Sequence, residues 1–303
     1  MVILMKNVKN KTGHKTTRVA AIHDLSGFGR CSLTVIMPIL SSMGIQVCPV
    51  PTAILSTHTG GFSDMVFKDL SDYIDPCYEH YKSLGIEFDA VYSGFLASSA
   101  QIDCCLKFFR GFPDALKIVD PVMGDNGKPY KTYTKELCKR MSELVGIADI
   151  ITPNLTEAAI LLGEEFPEAN ILPLKNAQNW LIRLCEKARI SVITGVVVDG
   201  KHCNIGLDRD CGILKKIDYY NVPAHYPGTG DIFASVLTGA ILAGADLETA
   251  IKQATDFARS AVKITYDLKG EPRNGVMFEQ LLQSQNLTAA VGGYKSLSYV
   301  SLR

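Results

Sequence analysis

Asp231 closes the run Tyr226-Pro227-Gly228-Thr229-Gly230-Asp231, and an apolar segment reaching Gly244 follows directly. Ile232, Val236, Leu237, Ile241 and Leu242 recur at helical spacing, so a glycine-rich turn opens a buried helix. The first N–H groups of such a helix lack intrahelical partners, and with the helix dipole they favour an anion, typically phosphate. A carboxylate fixed beside a phosphate is repulsive unless it has a use. Taking the proton from an attacking hydroxyl is one. Asp is also a favoured N-cap, the commoner role for an isolated Gly-x-Gly-Asp. Gly228, Thr229, Gly230 and Asp231 therefore form a candidate catalytic group whose weight depends on the rest of the chain.

Asp120 and Asp125 bracket a proline–glycine turn, and Asn154 and Glu157 stand three apart at a helix start. Magnesium prefers oxygen ligands and keeps several waters, so one or two carboxylates with an amide oxygen suit it. Phosphoryl transfer uses such an ion to neutralise the β- and γ-phosphates. The Asn154–Glu157 spacing is equally that of a capping box, which is commoner. Gly27-x-Gly29 after a strand is half a dinucleotide fingerprint; the third glycine and the later acidic residue are missing, which argues against an NAD-dependent oxidoreductase. No Gly-x-x-x-x-Gly-Lys-Ser/Thr occurs, so the P-loop class is excluded. Asp24 or Ser26 suits a polar ring substrate, and Leu55 and Phe95 could sandwich an aromatic one, although core burial is the usual fate of such residues. His58 fits a ligand-side donor and an ordinary loop residue equally.

The elements that must position these groups alternate. Strands are expected at 18–22, 45–50, 90–95, 116–119, 149–151 and 191–194, with polar loops at 23–30 and 55–61. Helices are expected from a Ser32 cap to about 43, then at 64–84 with a break or kink at Pro76, 101–109, 135–145, from 155, 173–188 and 247–264. A hairpin around 208–211 joins strands near 202–207 and 212–217. Short connections between alternating strands and helices predict a mostly parallel sheet covered on both faces, with that hairpin as an antiparallel edge. Asp24, Ser26, Ser93, Gly94, Asp120, Thr152, Asn154 and Thr194 all fall at strand ends, where open α/β sheets bind ligands. One domain over 18–285 is expected, after a leader at 1–17 and before a weakly patterned tail at 286–303.

The 31 basic residues balance 31 acidic ones, so no global field favours nucleic acid or an anionic membrane. Nine scattered cysteines form no Cys-x-x-Cys pair, as in a chain with reduced thiols, and no stretch approaches a membrane span. Cytoplasm is the expected compartment.

Taken together, Asp120-Pro-Val-Met-Gly-Asp125 with Tyr130, then Ala148-Asp-Ile-Ile-Thr-Pro-Asn154 with Glu157, then Gly228-Thr-Gly-Asp231 resemble the ordered signatures of the ribokinase-like superfamily. Leu55-Ser-Thr-His-Thr-Gly60 and Ser93-Gly94-Phe95 are similar to its pyridoxal/pyridoxine/pyridoxamine kinase branch, and the resemblance spans roughly 19–266. It implies a single-domain three-layer α/β/α sandwich, ATP-dependent phosphorylation of the 5′-hydroxymethyl of vitamin B6 compounds, and a homodimer. Asp231 would be the base, with the amides of 228–231 as anion hole. Asp120, Asn154 and Glu157 would organise Mg2+, directly or through water, and a monovalent cation such as K+ stays open. Asp125 and Tyr130 would lie by the ATP phosphates, with Thr152 and Thr194 near the nucleotide. Asp24 or Ser26, Leu55, His58, Thr59 and Phe95 would contact the ring. Two departures point elsewhere: Phe95 stands where members often carry Tyr, and the 24–29 loop is closer in style to hydroxymethylpyrimidine kinases. Those enzymes commonly have Cys where Asp231 stands, and they lack the Met-Gly-Asp125 continuation. Hydroxymethylpyrimidine is thus the alternative substrate, and a non-catalytic nucleotide- or vitamin-binding protein the alternative of another class.

Overall fold

A computed structural model describes residues 16–130 and 133–283; the leader through 15 and the expected tail at 286–303 lie outside the described residues. The chain runs β1 (Arg18–Phe28), α1 (Leu33–Ser42), β2 (Gln46–Thr57), β3 (Phe67–Asp69), α2 (Ser71–Ser83), β4 (Ala90–Ser93), α3 (Ser99–Gly111) and β5 (Leu116–Val119). A small hairpin, β6 (Gly124–Asp125) and β7 (Lys128–Pro129), precedes α4 (Lys135–Val145), β8 (Ile150–Ile151), α5 (Leu155–Leu162) and α6 (Leu174–Cys185). Then come β9 (Ile190–Val198), β10 (Lys201–Asp208), β11 (Leu214–Asp218), α7 (Thr229–Leu242), α8 (Leu247–Asp267) and α9 (Glu279–Gln283).

Nine strands form the main sheet in the order β11-β10-β9-β8-β5-β4-β1-β2-β3. The six from β2 to β9 are mutually parallel, and antiparallel strands close both edges. Alternate side chains feed two cores. Val19, Ala21, Tyr92, Ile118, Ile150 and Val192 pack with α1, α7 and α8, whereas Ala20, Ile22, Val91, Val119, Ile151 and Ile193 pack with α2 to α6. Each fully buried aliphatic contributes about 1.5–3 kcal/mol, so the sheet is clamped from both faces. The chain moves from β1 to β2 on one side and from β4 to β9 on the other. The direction changes between β1 and β4, and the carboxyl ends of those two strands flank the crevice this creates.

Several expectations need correction. β1 does not stop at 22; past an irregularity at Asp24 its pairing with β2 resumes at Leu25↔Ile54 and holds to Phe28↔Thr57, so most of the expected 23–30 loop is strand. The expected 55–61 loop likewise begins inside β2. The start of the expected 64–84 helix is strand β3, paired antiparallel to β2, and α2 starts at Ser71 and continues through Pro76. Ser32 precedes α1 but its side chain makes no cap; its hydroxyl goes to Asp24 instead. β9 continues to Val198 because β10 folds back on it, so the antiparallel region includes β9–β10 as well as the expected hairpin.

Candidate active site

The turn before α7 is as the glycine spacing requires. Gly228 is the N-cap with φ +84°, in the left-handed region that only glycine enters freely, and no side chain caps the helix. A Cβ on Gly228 would overlap the Arg30 carbonyl, whereas one on Gly230 would meet open space. One side of the turn is therefore pressed on the chain before α1, and the other is open to an anion at unpaired amides.

Asp231, in the first turn of α7, is buried. It is not the cap: its Oδ2 accepts from the Ser32 N–H (2.8 Å) and the Cys31 thiol (3.4 Å). Its Oδ1 lies 3.3 Å from His23 Nε2, and His23 Nδ1 is 2.9 Å from Asp24 Oδ1. Asp24 also accepts from the Ser26 hydroxyl (2.8 Å) and the Ser32 hydroxyl (2.6 Å). Ser32 holds φ +59° to serve both carboxylates, a strained backbone for a non-glycine residue. Burial alone would lower the pKa of the His23 ring, but its bonds to Asp231 and Asp24 outweigh that and raise it to about 10. Burial alone would raise the Asp24 carboxyl; the His23 partner and the two hydroxyls hold it below its ordinary value.

The raised His23 pKa has a measurable sign. Folding binds a proton that the unfolded ring, near its ordinary 6.5, releases. The stabilisation is fully present below 6.5 and is lost as pH rises through about 10. Urea midpoints of the wild type should fall across that window, and those of His23→Gln should fall less. Parallel curves would show that His23 carries no excess charge.

Asp120 follows β5 and is buried; burial, then the charge of Asp231, pushes its carboxyl up to about 7. Burial and then Asp120 push Glu157 well above the usual carboxylate range, despite N–H donors from Asn154 (2.8 Å) and Met123 (3.1 Å). Asn154 Oδ1 accepts from the Glu157 N–H (2.9 Å), so the capping box is formed. Asn154 Nδ2 donates to the Gly124 carbonyl (2.8 Å), which anchors the small hairpin. Asn154→Ala should lower stability by about 1–2 kcal/mol in urea unfolding, and Asn154→Asp should recover the cap. A neutral Asn154→Ala would remove the structural assignment.

Among the described residues no three His, Cys, Asp or Glu side chains enclose a metal by themselves. The donor set nevertheless fits magnesium. Asp120 and Glu157 are hard oxygen ligands, and the charge of Asp120 raises the Glu157 pKa, a repulsion that a divalent cation would relieve.

The other expected residues scatter around this centre. Asp125 on β6 lies 3.3 Å from His225, which ties the hairpin to the approach to Gly228, and Tyr130 ends the hairpin, half-exposed. Thr152 is buried beyond β8, and Thr194 donates its N–H to the Pro153 carbonyl (3.0 Å). Leu55 is buried on β2, and Phe95 is half-buried, edge-on to Tyr133. Thr59 is exposed. His58 is spent on structure: Nε2 donates to the Arg273 carbonyl (2.7 Å) and Nδ1 accepts from the Gly60 N–H (3.0 Å). No ring nitrogen is left for a ligand. Sequence reasoning missed His23 and Cys31 and misjudged Ser32; the one usable signal was Gly94, where a Cβ would overlap the His23 ring.

Comparison with known proteins finds the same fold. A Bacteroides thetaiotaomicron protein assigned as a phosphomethylpyrimidine kinase superposes with a TM-score of 0.87 at 40% identity, covering 92% of this chain and 96% of that one. A second crystal form of it, with pyridoxal, gives 0.85 at 41% identity, covering 90% and 96%. Pyridoxal kinase from Lactobacillus plantarum gives 0.81 at 30% identity, covering 90% and 97%. Among curated relatives, the hydroxymethylpyrimidine/phosphomethylpyrimidine kinase of Haemophilus influenzae is 27% identical over 56% of this chain, and the chain spans 63% of that relative's length. Pyridoxal kinase PdxY of Vibrio parahaemolyticus is 26% identical over 75% of this chain and 80% of its own. No helix among the described residues is long and apolar enough to cross a membrane. Residues 39–276 match the family model described as phosphomethylpyrimidine kinase, and the chain belongs to that family.

Proposed function

We propose that the protein transfers the γ-phosphoryl group of ATP to a primary alcohol on an aromatic nitrogen ring, and that the alcohol is the 5′-hydroxymethyl of a vitamin B6 compound. The observation that carries the transfer is Asp231: a buried carboxylate beside an uncapped helix N-terminus, free of capping duty. Asp231 takes the hydroxyl proton while the amides of 228–231 receive charge on the transferring group. Asp120 and Glu157 would hold magnesium, which when bound neutralises the phosphates. Asp125 and Tyr130 would flank those phosphates, with Thr152 and Thr194 toward the nucleotide. Asp24, Ser26, Leu55 and Phe95 would border the ring, with Thr59 at the mouth.

Support for the B6 ring comes from the Lactobacillus plantarum enzyme and from the Bacteroides protein crystallised with pyridoxal. The family model and the Haemophilus relative favour the second reading, hydroxymethylpyrimidine. A coupled ADP assay with pyridoxal, pyridoxine, pyridoxamine and hydroxymethylpyrimidine decides. ADP release only on adding a B6 alcohol is expected; release only with the pyrimidine transfers the assignment, and release with neither ends it. A homodimer belongs to the same reading, supported by the exposed Ile54, Val66 and Phe67 along the β2–β3 edge, and sedimentation tests it.

A further inference from the structure

Neither substrate, anion nor metal accounts for the engagement of the Asp231 Oδ1. That oxygen faces Nε2 of His23 at 3.3 Å, while Nδ1 of the same ring faces Asp24 at 2.9 Å. The ring is buried where β1 meets β4, and it fits only because residue 94 is glycine. Backbone N–H groups of Asp24 (2.9 Å) and Phe95 (3.3 Å) also approach the two ring nitrogens. The ring therefore lies between two donors and two carboxylates, and charge-assisted bonds to carboxylates are the stronger pair. Beside it stand Asp24 from β1, Asp231 from α7 and Asp120 beyond β5, and near Asp231 stand the Cys31 thiol before α1 and the Tyr92 phenol of β4, every one an acid.

We propose that His23 is a positioning residue for Asp231: donating from Nε2 to Oδ1, it orients the carboxylate toward the acceptor alcohol. The inference rests on the kinase reading above. Asp24, itself fixed by Ser26 and Ser32, braces the far side of the ring, so a carboxylate orients an imidazole that in turn orients the reacting group. In the transfer, the bond from the acceptor oxygen to the γ-phosphorus forms and the bond to the β,γ-bridging oxygen breaks. ADP leaves with that electron pair, and the alcohol proton passes to Asp231. His23 keeps its protons throughout.

Two variants test this, His23→Leu (similar volume, no donor) and His23→Gln (an amide donor, no charge). In steady-state assays from pH 6 to 9.5, kcat of His23→Leu should fall roughly 100-fold at pH 7, with both KM values within about threefold. His23→Gln, which keeps a donor, should recover about tenfold. No recovery in His23→Gln, or kcat of His23→Leu within threefold of wild type, overturns the proposal. If the variants fail to fold, 15N-histidine NMR of the wild-type chain decides: at pH 8.5 His23 should carry protons on both nitrogens, and in Asp231→Asn it should turn neutral. A neutral wild-type His23 at that pH overturns the proposal. Absence of ADP with every alcohol would instead sink the kinase reading, and the NMR result would still decide whether His23 donates to Asp231.

Discussion

Replacing Asp231 by Asn should lower kcat by about 1,000-fold, within the range general-base removal produces, while thermal unfolding stays near wild type. The amide oxygen of Asn can still accept from the Ser32 N–H, the 2.8 Å contact that ties α7 to the start of α1. What disappears is the charge and the ability to take a proton. Because α7 has no side-chain cap, capping cannot account for a loss. KM for ATP should change little, since the anion-facing groups are backbone amides. Near-normal turnover in this variant would remove Asp231 from the chemistry and leave only the fold.

Gly228→Ala and Gly230→Ala should fail in opposite ways. At Gly228 the left-handed φ of +84° costs an alanine about 1–2 kcal/mol, and its Cβ would also run into the Arg30 backbone carbonyl, which has no rotamer to yield. We expect a total loss of at least about 2 kcal/mol, seen as a lower melting temperature together with lost activity. At Gly230 a Cβ meets nothing within 4 Å, and alanine is the better helix former. That variant should be as stable as wild type or slightly more so, yet bind ATP at least tenfold more weakly, about 1.4 kcal/mol, because the methyl occupies the anion's approach. A stable Gly230→Ala with unaltered KM for ATP would mean that phosphate lies elsewhere.

The parts legible in the sequence were those written locally. The Gly228–Asp231 turn needs only its own glycines and the apolar run after it, and the parallel core follows from short apolar strands between helices. Non-local pairing was not legible. Nothing in 23–28 announces a strand, because what makes it one is β2, paired across the irregularity at Asp24. Phe67–Asp69 looked like the start of a helix because its partner, 53–55, is too distant to enter a periodicity argument. His23 was passed over for the same reason: its meaning depends on Asp231 and on the missing side chain at Gly94. Asn154 and Glu157 were half legible, since cap and metal set share one spacing, and the structure forms the cap with both residues. His58 stood in a polar stretch that invited a ligand role, whereas its real partner is a carbonyl 215 residues away.

The contact between Ser32 and Asp231 spans 199 positions of the chain. Links so distant form late, because chain closure costs entropy before they stabilise anything. During synthesis β1 emerges long before α7, so His23 and Asp24 lack the Asp231 side of their cluster until α7 has been made. The acid–base cluster is therefore among the last parts of the fold to assemble.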